Sequence, residues 1–295
     1  CQALIECIIP DNVKTIEASA FSNCSSLQTI QLPENVKTIG ESAFYNCSAL
    51  NDVKLPVGLR EMADGLFYGC TSLSEIEISD SVTSIGENEF YNCSSLMNIE
   101  IPDSVTSIGK NAFTNCSALE QILIPKGLSE IKDNTFAGCT ELKKVNISEN
   151  TVKIGADAFA QCQKLEQIVI PDNMETIGSG AFSGCEKVES ITIPGKVQKI
   201  ADSTFENCKN VKEIKLSDSI KIIGKSSFKN CSSLTQITIP ANVTELSNYV
   251  FEKCSALERV DFKGDAPQIG DYAFNGITTT CYYPAGNETY TAKIT

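Results

Sequence analysis

The chain has 295 residues, 42% of them hydrophobic, with a formal net charge of −13 and a pI near 4.6. This is the composition of a folded chain, and its acidic sign excludes nucleic acid, which needs clustered Lys and Arg, and an anionic membrane surface. Histidine is absent, which removes Ser-His-Asp and Cys-His nucleophiles and every His-containing metal site.

No apolar run approaches the ~20 residues that span a bilayer, so no direct membrane insertion is expected. The chain opens on Cys1 rather than Met and shows no signal peptide, so it reads as a fragment or a processed product. Fourteen cysteines suggest a disulfide framework until their spacing is examined. Cys1, Cys24, Cys47, Cys70, Cys93, Cys116, Cys139, Cys162, Cys185, Cys208, Cys231 and Cys254 stand 23 residues apart without a slip, and only Cys7 and Cys281 fall off the grid. A fixed period of this size marks a solenoid of stacked units. Twelve of the thirteen phenylalanines keep the same clock, from Phe21 to Phe274, three places before the cysteine slot.

Within one unit the elements follow in order. Leu27–Val36 reads Leu-x-x-Ile-x-Leu-Pro-x-Asn-Val. The Ile-x-Leu step has period two, which predicts a short strand with both residues inward. Pro33 ends it, because proline donates no ladder hydrogen bond. Asn35 is expected to turn the chain through a bond to local backbone. Ile39, Ala43, Phe44 and Cys47 then share one helical face, which predicts a short helix or 3-10 segment. One unit cannot bury its apolar edge alone, whereas stacked units can.

Further along, the pattern departs in a few places. Met62-Ala63 replaces Ile-Gly, Glu89 replaces Ala before Phe90, Ser148 replaces Pro with Val152 one place late, and Ile277 stands in the last cysteine slot. The strand, Pro, Asn and Val positions follow the leucine-rich-repeat pattern. More narrowly, Ile101-Pro-Asp-Ser-Val-Thr-Ser-Ile-Gly-x-x-Ala-Phe-x-x-Cys116 resembles the BspA-type, or Treponema-type, leucine-rich repeat. The resemblance runs from Cys1 to about Gly276, and the Thr280–Tyr290 tail is similar to the segment that closes such arrays. It implies an α/β repeat solenoid: a right-handed array with a parallel sheet on the concave face and short helical or 3-10 segments on the convex side. About twelve units would fill residues 1–276, and 277–295 would form a closing strand or cap. It further implies a secreted or surface-anchored adhesion module, extracellular or at the cell surface, of a host-associated microbe. The partner is then a protein or glycan, and a structural spacer displaying another domain is the alternative.

Candidate sites are weighed against plainer roles. The cysteine ladder reads as core, since free cysteine packs as a small buried apolar group and a straight ladder does not converge on a metal. Cys281 is the one thiol expected to be reactive or intermolecular. Tyr45, Tyr68 and Tyr91 share one slot and are expected to stack, either as an interface or as filler between neighbouring turns. Eight Asn-x-Ser/Thr sequons occur, and five of them, at Asn23, Asn46, Asn92, Asn115 and Asn230, are the repeat's own Asn-Cys-Ser. The outward strand positions carry the binding expectation: Thr29, Gln31, Asp52, Lys54, Glu75, Glu77, Asn98, Glu100, Gln121, Leu123, Lys144, Asn146, Gln167 and Val169. Glu75, Glu77 and Glu100 would form an acidic patch. These columns hold no tyrosine and only Arg259 as arginine, so no aromatic hot spot is expected there. No catalytic residue, metal site or cofactor is expected, because no phosphate loop, dinucleotide fingerprint, calcium loop or nucleophile elbow is present.

Overall fold

A computed structural model describes residues 1–290. Residues 291–295, the end of the expected closing segment, lie outside the described residues. The chain forms two compact units, Cys1–Asn150 and Thr151–Thr295.

In the first unit each 23-residue turn adds one coil. A coil carries a strand of two or three residues, such as Glu75–Glu77, and a second two-residue strand, such as Ser84–Ile85. Strands of successive coils pair in parallel at the repeat distance: Ile76 lies opposite Ile99, and Ile85 opposite Ile108. The Ile-x-Leu motif forms the first strand, and its alternation buries Ile76 while exposing Glu75 and Glu77. Proline stops that strand and opens a β-turn, in which the Val36 N–H donates to the Pro33 carbonyl at 3.0 Å. Asn35 does not bond locally as its turn role predicts. Its side-chain amide donates to the Asp11 carbonyl of the preceding coil, 24 residues away, at 3.1 Å.

The expected helical segment is not a helix. Over residues 42–47 the amides alternate between two destinations. Those of Ser42, Phe44 and Asn46 donate to Asp64, Leu66 and Tyr68 of the next coil at 2.9, 3.0 and 2.6 Å. Those of Ala43, Tyr45 and Cys47 donate three residues back, at 3.0–3.2 Å. The cause is backbone handedness. Ser42 and Asn46 stand at φ 56° and 55°, and an L-residue there cannot continue a right-handed helix. The same slots hold Gly65 and Gly69, Asn88 and Asn92, and Asn111 and Asn115, all at positive φ. Asn and Gly tolerate that region best, so the repeated Asn-Cys-Ser is a backbone requirement that happens to spell a sequon.

The second unit repeats this plan. Ser190–Thr192 pairs in parallel with Glu213–Lys215, and Lys199–Ile200 with Ile222–Ile223. Gly180 and Gly184, at φ 64° and 75°, donate to Asp202 and Glu206 of the next coil at 2.9 and 2.8 Å. At its end Thr280–Tyr282 pairs in parallel with Arg259–Phe262, with Tyr282 opposite Asp261. Behind that strand the one helical element among the described residues, a 3-10 turn at Glu288–Tyr290, buries Tyr290. The Tyr290 hydroxyl donates to the Gly264 carbonyl at 3.1 Å, and its ring stacks on Tyr283 at 4.5 Å.

Two ladders fill each core. Phenylalanine rings stack at 5.2–5.7 Å in the first unit, from Phe21 to Phe136, and at 5.4–5.8 Å in the second, from Phe159 to Phe274. The cysteines pack beside them as expected, and they also donate. The thiols of Cys70, Cys93 and Cys116 reach the carbonyls of Phe44, Phe67 and Phe90 in the preceding coil at 3.1–3.2 Å. Each such carbonyl already accepts an N–H from its own turn, as Phe44 does from Cys47 at 3.1 Å. Cysteine therefore suits the slot by being small, apolar and a weak donor at once. Burial pushes the thiols up, to about 11 for Cys47 and about 12 for Cys139 and Cys208, which keeps them protonated at neutral pH. Cys116→Ala is expected to cost about 1–3 kcal/mol through lost packing and a half-satisfied carbonyl. Urea unfolding of the variant checks this, and an unchanged midpoint would refute the donor role.

Candidate functional site

The outward strand positions lie where the period-two reading puts them. In the first unit Gln31, Asp52, Lys54, Glu75, Glu77, Asn98, Glu100, Gln121, Leu123, Lys144 and Asn146 are exposed, and Thr29 is half-buried. Gln167 and Val169 are exposed on the second unit. Leu123 and Val169 are apolar outliers at 61% and 67% exposure.

The fold gathers only part of this set. A depression of about 1170 Å³ opens on the first unit's strand face, lined by Asp52, Lys54, Glu75, Glu77, Asn98, Glu100 and Gln121, with Asp80 and Val57 at its edge. Thr29, Gln31, Leu123, Lys144 and Asn146 do not line it. Pairing register places Glu75 beside Asn98 and Glu77 beside Glu100, and adjacent parallel strands lie about 4.8 Å apart. Five carboxylates therefore share the depression with one ammonium. That ammonium, Lys54, leans away toward Glu34 at 3.6 Å. The depression falls at a gap in the ladder. Asp52–Val53 pairs with Thr29–Gln31, but among the described residues no strand pairing joins it to Glu75–Glu77. Asp52 and Glu75 occupy one column in adjacent coils, so two carboxylates face the gap.

A second cluster on the strand face escaped the sequence reading. In the second unit the Arg259 guanidinium grips Asp261 through two bonds of 2.6 and 2.7 Å and lies 4.2 Å from the centroid of the Tyr282 ring. The bonds to Arg259 hold the Asp261 carboxyl below the usual range. Tyr282 is therefore a tyrosine in the outward column, contrary to expectation. It was missed because the closing strand falls 21 residues after its neighbour rather than 23. The signal was Cys281-Tyr-Tyr-Pro284, which copies the Ile-x-Leu-Pro strand motif.

The same strand corrects the reading of Cys281. Its side chain takes the inward slot opposite Val260 and is half-buried, and burial raises its pKa, which works against a reactive thiolate. Cys7, opposite Ile30, is half-buried too. Tyr45, Tyr68 and Tyr91 stack at 4.7 Å, so both faces of Tyr68 and one face each of Tyr45 and Tyr91 are covered by a neighbouring ring. Desolvation and the flanking tyrosines raise the pKa of Tyr68. This geometry favours filler over an open aromatic platform.

The profile of the BspA type leucine rich repeat region matches this chain in six copies, over residues 1–96, 60–189 and 152–281. Among solved structures, a leucine-rich repeat protein from Bacteroides ovatus is 27% identical with a TM-score of 0.65, covering 95% of this chain and 92% of that one. A T. pallidum leucine rich repeat protein is 33% identical with a TM-score of 0.52, over 55% of this chain and 78% of its own. A leucine rich cell surface protein from Faecalibacterium prausnitzii shares the fold at 24% identity and a TM-score of 0.50, covering 97% and 89%. No curated protein matches.

Proposed function

Because this chain belongs to the BspA-type leucine-rich-repeat family, we propose that it is a non-enzymatic binding or adhesion module, displayed at a cell surface or secreted, that engages a protein or glycan through its exposed strand face. One observation carries the reading: the expected columns and the acidic depression coincide at Asp52, Glu75, Glu77 and Glu100. Side chains at these positions stabilise the strand little, because the buried partners Ile76 and Ile99 do the packing. Their identity is therefore open to selection for a ligand. A ligand bearing basic or hydrogen-bond-donating groups suits the charge. The extracellular or cell-surface location rests on the family. No helix among the described residues is long and apolar enough to cross a membrane. The unbroken 23-residue clock supports one array over 1–276 with a closing segment over 277–295.

A panel of host matrix proteins, plasma proteins and glycans tests the proposal by surface-immobilised binding. Glu75→Lys, Glu77→Lys and Glu100→Lys combined are expected to weaken the strongest interaction at least about tenfold, with the association rate more salt-sensitive in the wild type. Undiminished affinity in the triple variant would remove this face from the reading. Silence of the wild type across the whole panel would favour the second reading, a stiff spacer that displays another domain. That reading draws on the side-chain and backbone stitching between coils, such as Asn46 to Asn23 at 3.3 Å and Asn115 to Asn92 at 2.9 Å.

A further inference from the structure

Glu89 occupies a slot that holds alanine in other coils, such as Ala43 and Ala112. Like them it is fully buried. Oε2 accepts one bond, from the Leu66 N–H at 3.3 Å, and Oε1 has no partner. The charges and titratable groups that act on it are unhelpful: Asp64 in the preceding coil, and the Cys70 and Cys93 thiols of the core ladder. None is basic. The carboxyl sits at the seam between two coils, which is closed by three backbone bonds: Gly65 to Glu87 at 2.8 Å, Phe67 to Glu89 at 3.0 Å and Gly69 to Tyr91 at 2.7 Å. The stacked rings of Tyr68 and Tyr91 lie at the same seam, 4.7 Å apart.

We propose that Glu89 makes this seam a pH-operated weak point, closed while its carboxyl is protonated and parted when it ionises. An ionised carboxylate cannot stay in this site without a cation or further donors, so it must reach water. Reaching water from full burial means parting the two coils that the seam joins, that of Gly65–Cys70 and that of Glu87–Cys93. The sign follows from burial, which holds the carboxyl well above its ordinary range with Asp64 adding to the effect. A carboxyl raised in the folded state gives its full stability below the unfolded carboxylate range. It loses that contribution progressively as pH climbs toward the folded value. The weak point therefore opens on alkalinisation, the reverse of acid unfolding.

The seam buries two reporters, Cys70 and Cys93, and Cys185 and Cys208 in the second unit serve as internal references. The test alkylates native protein with iodoacetamide and quantifies each cysteine by mass spectrometry, taking the ratio of seam thiols to reference thiols to cancel the reagent's own pH dependence. From about pH 6 to about pH 9 the ratio is expected to rise about tenfold in the wild type and to stay flat in Glu89→Gln, which keeps the shape and cannot ionise. Glu89→Ala, the residue that the following coil holds in this slot at Ala112, should also stay flat. A flat wild-type ratio, or a rise of equal size in Glu89→Gln, would overturn the proposal.

Discussion

Phe113→Ala is expected to remove about 3–5 kcal/mol from the unfolding free energy of the first unit. Phe113 is fully buried and stacks on Phe90 at 5.2 Å and on Phe136 at 5.3 Å. Truncation loses a side chain of about 150–250 Å² together with two ring contacts. The coils cannot collapse into the space, because their spacing is set by backbone bonds such as Phe113 N–H to Thr135 O at 2.9 Å. The cavity therefore persists and adds to the cost. Phe113→Leu refills most of the volume and should cost about 1–2 kcal/mol. Urea unfolding of both variants gives the comparison. A Phe113→Ala loss below that of Phe113→Leu would show that ring stacking is not what holds the coils.

The second large effect is expected at Gly138, which stands at φ 73° in the slot before Cys139. Gly138→Val places a β-branched side chain in the left-handed region; any Cβ there also meets the Asn115 side-chain oxygen of the preceding coil, which a rotation of that flexible side chain relieves. The expected cost is about 2–4 kcal/mol, from the backbone strain of a β-branched residue at positive φ. Gly138→Asn should cost under about 1 kcal/mol, because Asn92 and Asn115 hold the same slot at φ 60°. Thermal and urea unfolding of the pair decide the matter. Equal losses would mean that the slot answers to volume and not to handedness. If Val were tolerated as well as Asn, the account of why no helix forms here would fail.

These two positions show how differently sequence features could be read. Phe113 is legible at once, since an apolar residue repeated at a fixed spacing reports burial whatever the backbone does. The strand faces are legible for a similar reason: Ile76 and Ile99 alternate with polar neighbours, and alternation fixes which side is in. The turn between Ile39 and Cys47 was not, because its apolar spacing fits a helical face by coincidence. The residues that forbid the helix, Ser42 and Asn46, carry their message in backbone φ and not in hydropathy. Asn or Gly before most of the ladder cysteines was the available clue, with Gln161 and Lys253 as exceptions. Tyr282 shows the complementary failure, in which a clock that held for twelve turns hid a strand that came two residues early.

The sequence by itself determined the period, the family, the two core ladders and the outward columns, all of which follow from local pattern repeated at one distance. Tertiary structure decided what depends on a neighbour 23 residues away. Backbone amides of the turn pair with the next coil and so cancel the helix. Thiols donate across coils to phenylalanine carbonyls, and Asn35 reaches back to Asp11. Of fourteen outward candidates, seven line one acidic depression, which spans the unpaired stretch of the ladder between Asp52 and Glu75. Periodicity reports which residues are equivalent. It does not report which contacts form between the equivalents, and in a solenoid those contacts set the backbone, the cavities and the charge of the surface.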